Sequence, residues 1–169
     1  STGEPTGAIK GFLGMLSRVH TLAKPDMAAV IFDAPGKTFR HEMYPEYKAN
    51  RPPMPDDLRV QIDPLEKVVA ALGWKVLIVP GIEADDVIGS LSAMAKREGV
   101  KSVVAPGDKD LSQLVDDDVV ILNTMNTKFY DRAGVIEKYG VPPERMIDYL
   151  ALMGDKVDNV PGIKGGGPK

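Results

Sequence analysis

The chain has no cysteine, two histidines, one tryptophan and only 6% aromatic residues. Without cysteine there is neither a disulfide framework nor a thiolate metal centre. His20 and His41 stand alone, with no spacing for a triad or a zinc site. No apolar run approaches the roughly 18 residues needed to span a bilayer. The opening Ser-Thr-Gly-Glu-Pro-Thr has no basic stretch followed by an apolar one, so no secretory signal is expected and the expected location is cytoplasmic. Charge of one sign is scarce too: 21 Lys+Arg against 24 Asp+Glu give a formal net charge of −3. What is plentiful is glycine (17), proline (14) and hydrophobic residues (43% of 169). That balance excludes a disordered chain and fits one domain with a real core, or one domain and a piece of another.

Periodicity sets the expected elements. Ile9, Phe12, Leu13, Leu16 and Val19 form an amphipathic stripe, with Thr6 as its expected cap and Lys24-Pro25 as its stop. Met27 to Phe32 reads as a strand buried on both faces. Helical spacing returns at Leu58 to Leu72, and Trp74 to Val79 is a second strand. A helix over Glu83–Arg97, a strand over Ser102–Ala105, a helical turn at Leu111–Val115 and a strand over Val119–Asn123 follow. Two more helices are expected near Val135–Tyr139 and Pro142–Met153. Alternating strands and helices predict an α/β fold with a mostly parallel central sheet flanked by helices. In such sheets the site lies beyond the carboxyl ends of the strands.

The acids collect at that edge. Asp33 follows the first strand, Glu83, Asp85 and Asp86 the second, and Asp108 and Asp110 the third. Asp155 and Asp158, past Gly154, are placed to close the cluster. Any one of them could be a helix cap or dipole partner; three strand ends at once point to a shared site. So many carboxylates raise one another's pKa, and divalent cations relieve the repulsion. Oxygen-only ligands suit Mg²⁺ or Mn²⁺, and two such ions roughly 3.5–4 Å apart can activate water and stabilise a leaving oxygen. On an extended segment Asp108 and Asp110 point one way, and Glu83 and Asp86 share a helical face. Asp116-Asp117-Asp118 precedes a strand at the opposite end and reads as a solvated turn. Without the eight site acids the net charge moves from −3 to +5, which suits a polyanionic partner.

Residues 34–55 show no apolar period and carry Lys37, Arg40, Lys48 and Arg51 between Phe39, Tyr44 and Tyr47. Cations there can meet phosphates while a ring stacks on a base, or the loop is simply solvated. Met54 and Phe39 read as packing residues. The Gly-rich tail offers backbone amides to a phosphate, or is merely a loose terminus.

Five ordered motifs carry a resemblance: Phe32-Asp33 through Arg40, Tyr47-Lys48-Ala-Asn-Arg51-Pro-Pro-Met-Pro, Glu83-Ala-Asp85-Asp86, Gly107-Asp108-Lys-Asp110, and Gly154-Asp155 through Gly162. The chain resembles, from about Gly3 to its end, the flap-endonuclease-like 5′-3′ exonucleases, such as the 5′-nuclease domain of bacterial DNA polymerase I. The resemblance implies a PIN-like 5′-nuclease fold, a flexible helical arch at 34–55, a catalytic domain over 1–154 and the start of a helix-hairpin-helix module at 155–169. It implies hydrolysis of DNA with 5′ flaps, nicks or RNA primers in replication and repair, using two Mg²⁺ or Mn²⁺. Asp33, Glu83 and Asp85 would serve one ion; Asp85, Asp108, Asp110 and Asp155 the other, with Asp86 and Asp158 in support. Asp85 and Asp155 would be essential to catalysis. Lys48 and Arg51 would steer and polarise the scissile phosphate, Lys37 and Arg40 would contact DNA, and Tyr47 would stack on the terminal base. Gly162, Lys164, Gly165 and Gly167 would grip the duplex, with K⁺ in a complete module. A bacterial, nucleoid-associated monomer with a polymerase domain in the full-length chain is the implied setting. The family's usual first strand, with a further metal-binding Asp, is expected to be lacking, and Gly166 replaces a branched apolar residue. The alternatives are a catalytically impaired fragment that binds branched DNA and a PIN-type RNase. A phosphatase of the haloacid-dehalogenase kind is set aside, because Asp33-Ala-Pro lacks its second Asp.

Overall fold

The computed structural model describes residues 3–164. Gly165 and Gly167, expected to touch DNA, and Gly166 lie outside the described residues. The first half comprises α1 (Gly7–Ala23), β1 (Ala29–Phe32), the short α2 (Phe39–Met43), α3 (Asp56–Ala71) and β2 (Lys75–Ile78). Leu16 of α1, Val30 of β1, and Leu65 and Val69 of α3 form its core, with Phe12 stacked on Phe32 at 5.6 Å between ring centroids. Thr6 makes no side-chain cap. Buried Gln61 of α3 takes that place, its Oε1 accepting the amides of Ala8 and Ile9 at 2.9 and 3.2 Å. A cap from a neighbouring helix satisfies the same orphan donors and ties the two helices together. The expected strand from Met27 begins only at Ala29; Met27 is exposed, and of the strand residues only Val30 is buried.

The second half comprises α4 (Ala84–Arg97), β3 (Ser102–Val104), a 3₁₀ turn (Asp110–Leu114), β4 (Val119–Asn123), β5 (Lys128–Tyr130), α5 (Arg132–Tyr139), a 3₁₀ turn (Pro143–Arg145) and α6 (Met146–Met153). Its core is Val104, Leu111, Val115, Val119, Ile121, Val135 and Met146. A two-residue hairpin pair, β6 (Gly154–Asp155) and β7 (Val160–Pro161), ends the described chain. Among the described residues no helix is long and apolar enough to cross a membrane.

The pairing is mostly parallel, β1 with β2 and β3 with β4, while β5 adds antiparallel to β4. The expected single sheet is found in two parts, because among the described residues neither β1 nor β2 bonds to β3. Helix α4 joins them by packing on both β1 and β3, and Arg18 of α1 donates to the Thr124 carbonyl at 2.6 Å. Both parallel pairs turn their carboxyl ends toward the acids.

Candidate active site

Asp33 leaves the end of β1 and accepts the Ala84 amide at 2.7 Å, so it caps the helix that carries the other acids. Glu83 is the N-cap residue of α4, in extended backbone, and its side chain turns toward the arch. It accepts Lys48 Nζ at 2.5 Å, the Tyr47 hydroxyl at 2.9 Å and Arg40 at 3.1 Å. Asp86 shares that face, as the helical spacing predicts: Arg40 grips it with two bonds of 2.5 and 2.8 Å and holds its carboxyl below the usual carboxylate range.

Asp85 points the other way. Its outer surface is open, yet its carboxyl has the body of the protein behind it. That burial, followed by the charges of Asp108, Asp33, Asp110 and Glu83, pushes it up to about 6. Asp108 and Asp110 do not sit on an extended segment as expected. Lys109 is in the right-handed helical region and Asp110 opens a 3₁₀ turn, so the i, i+2 alternation fails. As a result Lys109 folds back among the acids, its Nζ lying 3.9 Å from Asp108, 3.5 Å from Asp110 and 2.6 Å from Asp155. Burial alone would lower this ammonium, but the three carboxylates outweigh it and raise its pKa. Asp110 is raised by burial and by Asp108, and its Oδ1 is buried without a hydrogen bond. Burial also opposes ionisation of Asp155; Lys109 and the amides of Asp158 and Val157 overcome it and hold Asp155 low.

The donor chemistry fits a hard divalent cation: oxygen ligands only, one buried carboxylate oxygen without a hydrogen bond, and one carboxyl driven toward protonation by burial and its neighbours. Asp108, Asp110 and Asp155, three of the expected metal ligands, gather around the Lys109 ammonium. Among the described residues no three acids converge closely enough to hold an ion. The physical reason is that protein cations already neutralise them, Lys109 on one side and Lys48 and Arg40 on the other.

The arch is docked rather than free-standing. Tyr47 is buried, its ring edge-on to His41 at 5.3 Å, with its hydroxyl between Glu83 and Asp158. Burial and these carboxylates raise its pKa. The ring expected to stack on a terminal base is thus packed against the arch itself, with the Lys48 ammonium 4.9 Å from its centroid. Arg51 pairs with Asp158 at 2.5 Å, Asn50 donates to the Lys156 carbonyl at 2.8 Å, and Asn159 donates to the Glu46 carbonyl at 2.8 Å. The Lys48 amide reaches the Asp158 carbonyl at 2.9 Å from a left-handed backbone (φ 56°). Phe39 and Met54, expected to pack, are both half-exposed, and Phe39 lies under the Arg40 guanidinium at 4.7 Å. Lys37 and Lys164 are exposed. Gly162 has a packing reason of its own: a Cβ there would meet the Met153 carbonyl oxygen at 2.4 Å, and one on Gly154 (φ +70°) would meet the Gly162 nitrogen at 2.2 Å.

Sequence reasoning missed Lys109, Asn50 and Asn159. The Asp-Lys-Asp order was the signal for the first, since a cation flanked by two acids can fold onto both. The two asparagines carried no signal.

Residues 1–140 match the family described as 5'-3' exonuclease, N-terminal resolvase-like domain. The chain is 54% identical over 169 residues to DNA polymerase I of Pseudomonas aeruginosa, covering 100% of this chain and 18% of that protein. It is 47% identical over 169 residues to a 5'-3' exonuclease of Aquifex aeolicus, covering 100% of this chain and 58% of that protein. The chain thus spans well under two thirds of the length of these relatives. Its fold is similar to that of the T5 D15 protein co-crystallized with metal ions, with a TM-score of 0.80 at 22% identity over 97% of this chain and 65% of the other. With the family matched over most of its length, the chain belongs to the 5'-3' exonuclease, N-terminal resolvase-like domain family.

Proposed function

We propose that the chain is the catalytic part of a structure-specific 5′ nuclease, hydrolysing phosphodiesters of DNA that carries 5′ flaps, nicks or RNA primers. The observation that carries this reading is the acid cluster at the strand ends, with Asp85 raised by burial and by its neighbours, faced by the cationic arch. Asp85, Asp108, Asp110 and Asp155 would hold one divalent ion, Mg²⁺ or Mn²⁺, and Asp33, Glu83 and Asp85 a second. Bound there, the ions supply an activated water and stabilise charge on the leaving 3′ oxygen.

The protein's own residues do the rest. Lys48 and Arg51, now on Glu83 and Asp158, exchange those carboxylates for the phosphate that enters. Arg40 is held by Asp86 beside the entry, and Lys37 is free to meet backbone phosphates. Asp158 anchors the arch through Tyr47 and Arg51. Lys109 must leave the acids for ions to bind. Gly162, Lys164 and the tail beyond would grip the duplex, with K⁺ in a complete hairpin module. The setting is a bacterial cytoplasmic, nucleoid-associated monomer with a polymerase domain elsewhere in the full-length chain.

Cleavage of a 5′-labelled flap duplex in Mg²⁺, beside EDTA and Asp155→Asn, tests this. Short products that vanish in both controls are expected. Cutting at the same rate by Asp155→Asn overturns the role of that residue. Lys109 and Lys48 occupying the carboxylates favour a second reading, a protein that binds branched DNA without cutting it; salt-sensitive binding with no product in Mg²⁺ supports that instead.

A further inference from the structure

Beside the acid cluster lies a cavity of about 120 Å³, walled by Asp108 and Lys109 on one side and by Asn123, Tyr130, Lys138 and Tyr139 on the other. It opens past the ends of β3 and β4, the edge at which parallel sheets bind ligands. Lys138 is in the last turn of α5, where the helix dipole favours a cation whichever way it points. Its Nζ is held 5.0 Å from the ring centroids of both Tyr130 and Tyr139, over the cavity. Among the described residues no carboxylate pairs with it. Asn126 donates to the Tyr130 hydroxyl at 2.9 Å and steadies that ring. Asn123 Oδ1 accepts the amides of Met125 and Asn126, which leaves its Nδ2 to donate.

Size and donors together name the occupant. The volume equals about four waters at ~30 Å³ each and is well under the ~300 Å³ at which pockets for larger organic ligands begin. An unpaired ammonium with an amide donor suits a tetrahedral anion rather than a base. Asp108 would repel an anion, and Lys109, shared among Asp108, Asp110 and Asp155, offsets only part of that charge.

We propose that this cavity is a subsite for one backbone phosphate of the bound strand, with Lys138 as its cation and Asn123 as a donor. It rests on the nuclease reading: Asp108 is shared by cluster and cavity, so the phosphate is a near neighbour of the scissile one. The same chemistry could be met by free phosphate.

The test is binding of a 5′-flap duplex by the whole chain across a salt series in Mg²⁺-free buffer. Lys138→Ala should weaken binding about tenfold and reduce the slope of log K against log salt by about 0.7–0.9, the share of one phosphate. Lys138→Arg should restore both. A neutral methylphosphonate walked along the strand should cost the wild type affinity at one position, and cost Lys138→Ala nothing further there. An unchanged affinity and slope in Lys138→Ala, or equal methylphosphonate losses in both proteins at every position, overturns the subsite. Inorganic phosphate, titrated while the Lys138 side chain is followed by NMR, separates the sources. A shift there without a methylphosphonate effect assigns the cavity to free phosphate and overturns the strand assignment. Wild type that neither binds nor cuts the flap sinks the nuclease reading, and absence of a phosphate-induced shift then sinks the subsite as well.

Discussion

Tyr47 and Asp85 carry opposite kinds of tension at the site. The Tyr47 hydroxyl lies between two carboxylates from different parts of the chain, so Tyr47→Phe leaves Glu83 and Asp158 short of a donor. A hydrogen bond to a charged group contributes about 1.5–3 kcal/mol, and urea unfolding should register a loss of that order; an unchanged midpoint would mean water replaces the hydroxyl. Asp85 is destabilised by burial first and by the neighbouring charges second. Its folded pKa of about 6 lies above the ordinary aspartate value of about 3.9. The folded chain therefore keeps a proton that the unfolded chain loses, and this contribution to stability, full below about pH 4, fades as pH rises through 6. In EDTA the Tm of the wild type should fall from pH 5 to pH 7 more steeply than that of Asp85→Asn. Parallel curves would show that neither burial nor the neighbouring carboxylates raise Asp85. Residues of this kind were partly legible: Asp33, Glu83 and Asp85 stand at strand ends that hydrophobic runs announce. Lys109 was hidden because its backbone is helical where alternation assumed extension.

The arch and the 156–159 loop form a clasp between elements more than a hundred residues apart. Asp158→Ala removes one partner each from Tyr47 and Arg51 while keeping the backbone contact to Lys48. Amide exchange across residues 44–51 should quicken about tenfold, the equivalent of one such bond. Unchanged protection would place the hold on the arch elsewhere. This docking was not legible, because an irregular segment has no period to say which side chains turn inward. The strands β5, β6 and β7 escaped for a related reason: two or three residues are too few to show alternation. Helices α1 and α3 to α6 and strands β1 to β4 were legible as apolar stripes or continuous apolar runs, whereas α2 falls in the segment without a period.

Across the whole molecule the two cores are separate clusters, joined by α4 and the Arg18 contact rather than by a continuous sheet. Met146→Ala empties a fully buried position in the second core and should cost about 2–5 kcal/mol. Hydrogen exchange should show that loss in β3 and β4 while β1 and β2 keep their protection. Equal loss in both halves would mean that α4 couples them into one unit. The acids come from several elements: Asp33 follows β1, Glu83 and Asp85 stand at the start of α4, Asp108 and Asp110 follow β3, and Asp155 lies in the β6–β7 hairpin. Lys48, bound to Glu83, has a left-handed backbone that asparagine adopts more readily than lysine. Lys48→Asn therefore preserves the bend while deleting the ammonium, and Lys48→Ala strains the bend as well. Subtracting one variant's behaviour from the other's separates what the arch contributes as shape from what it contributes as charge.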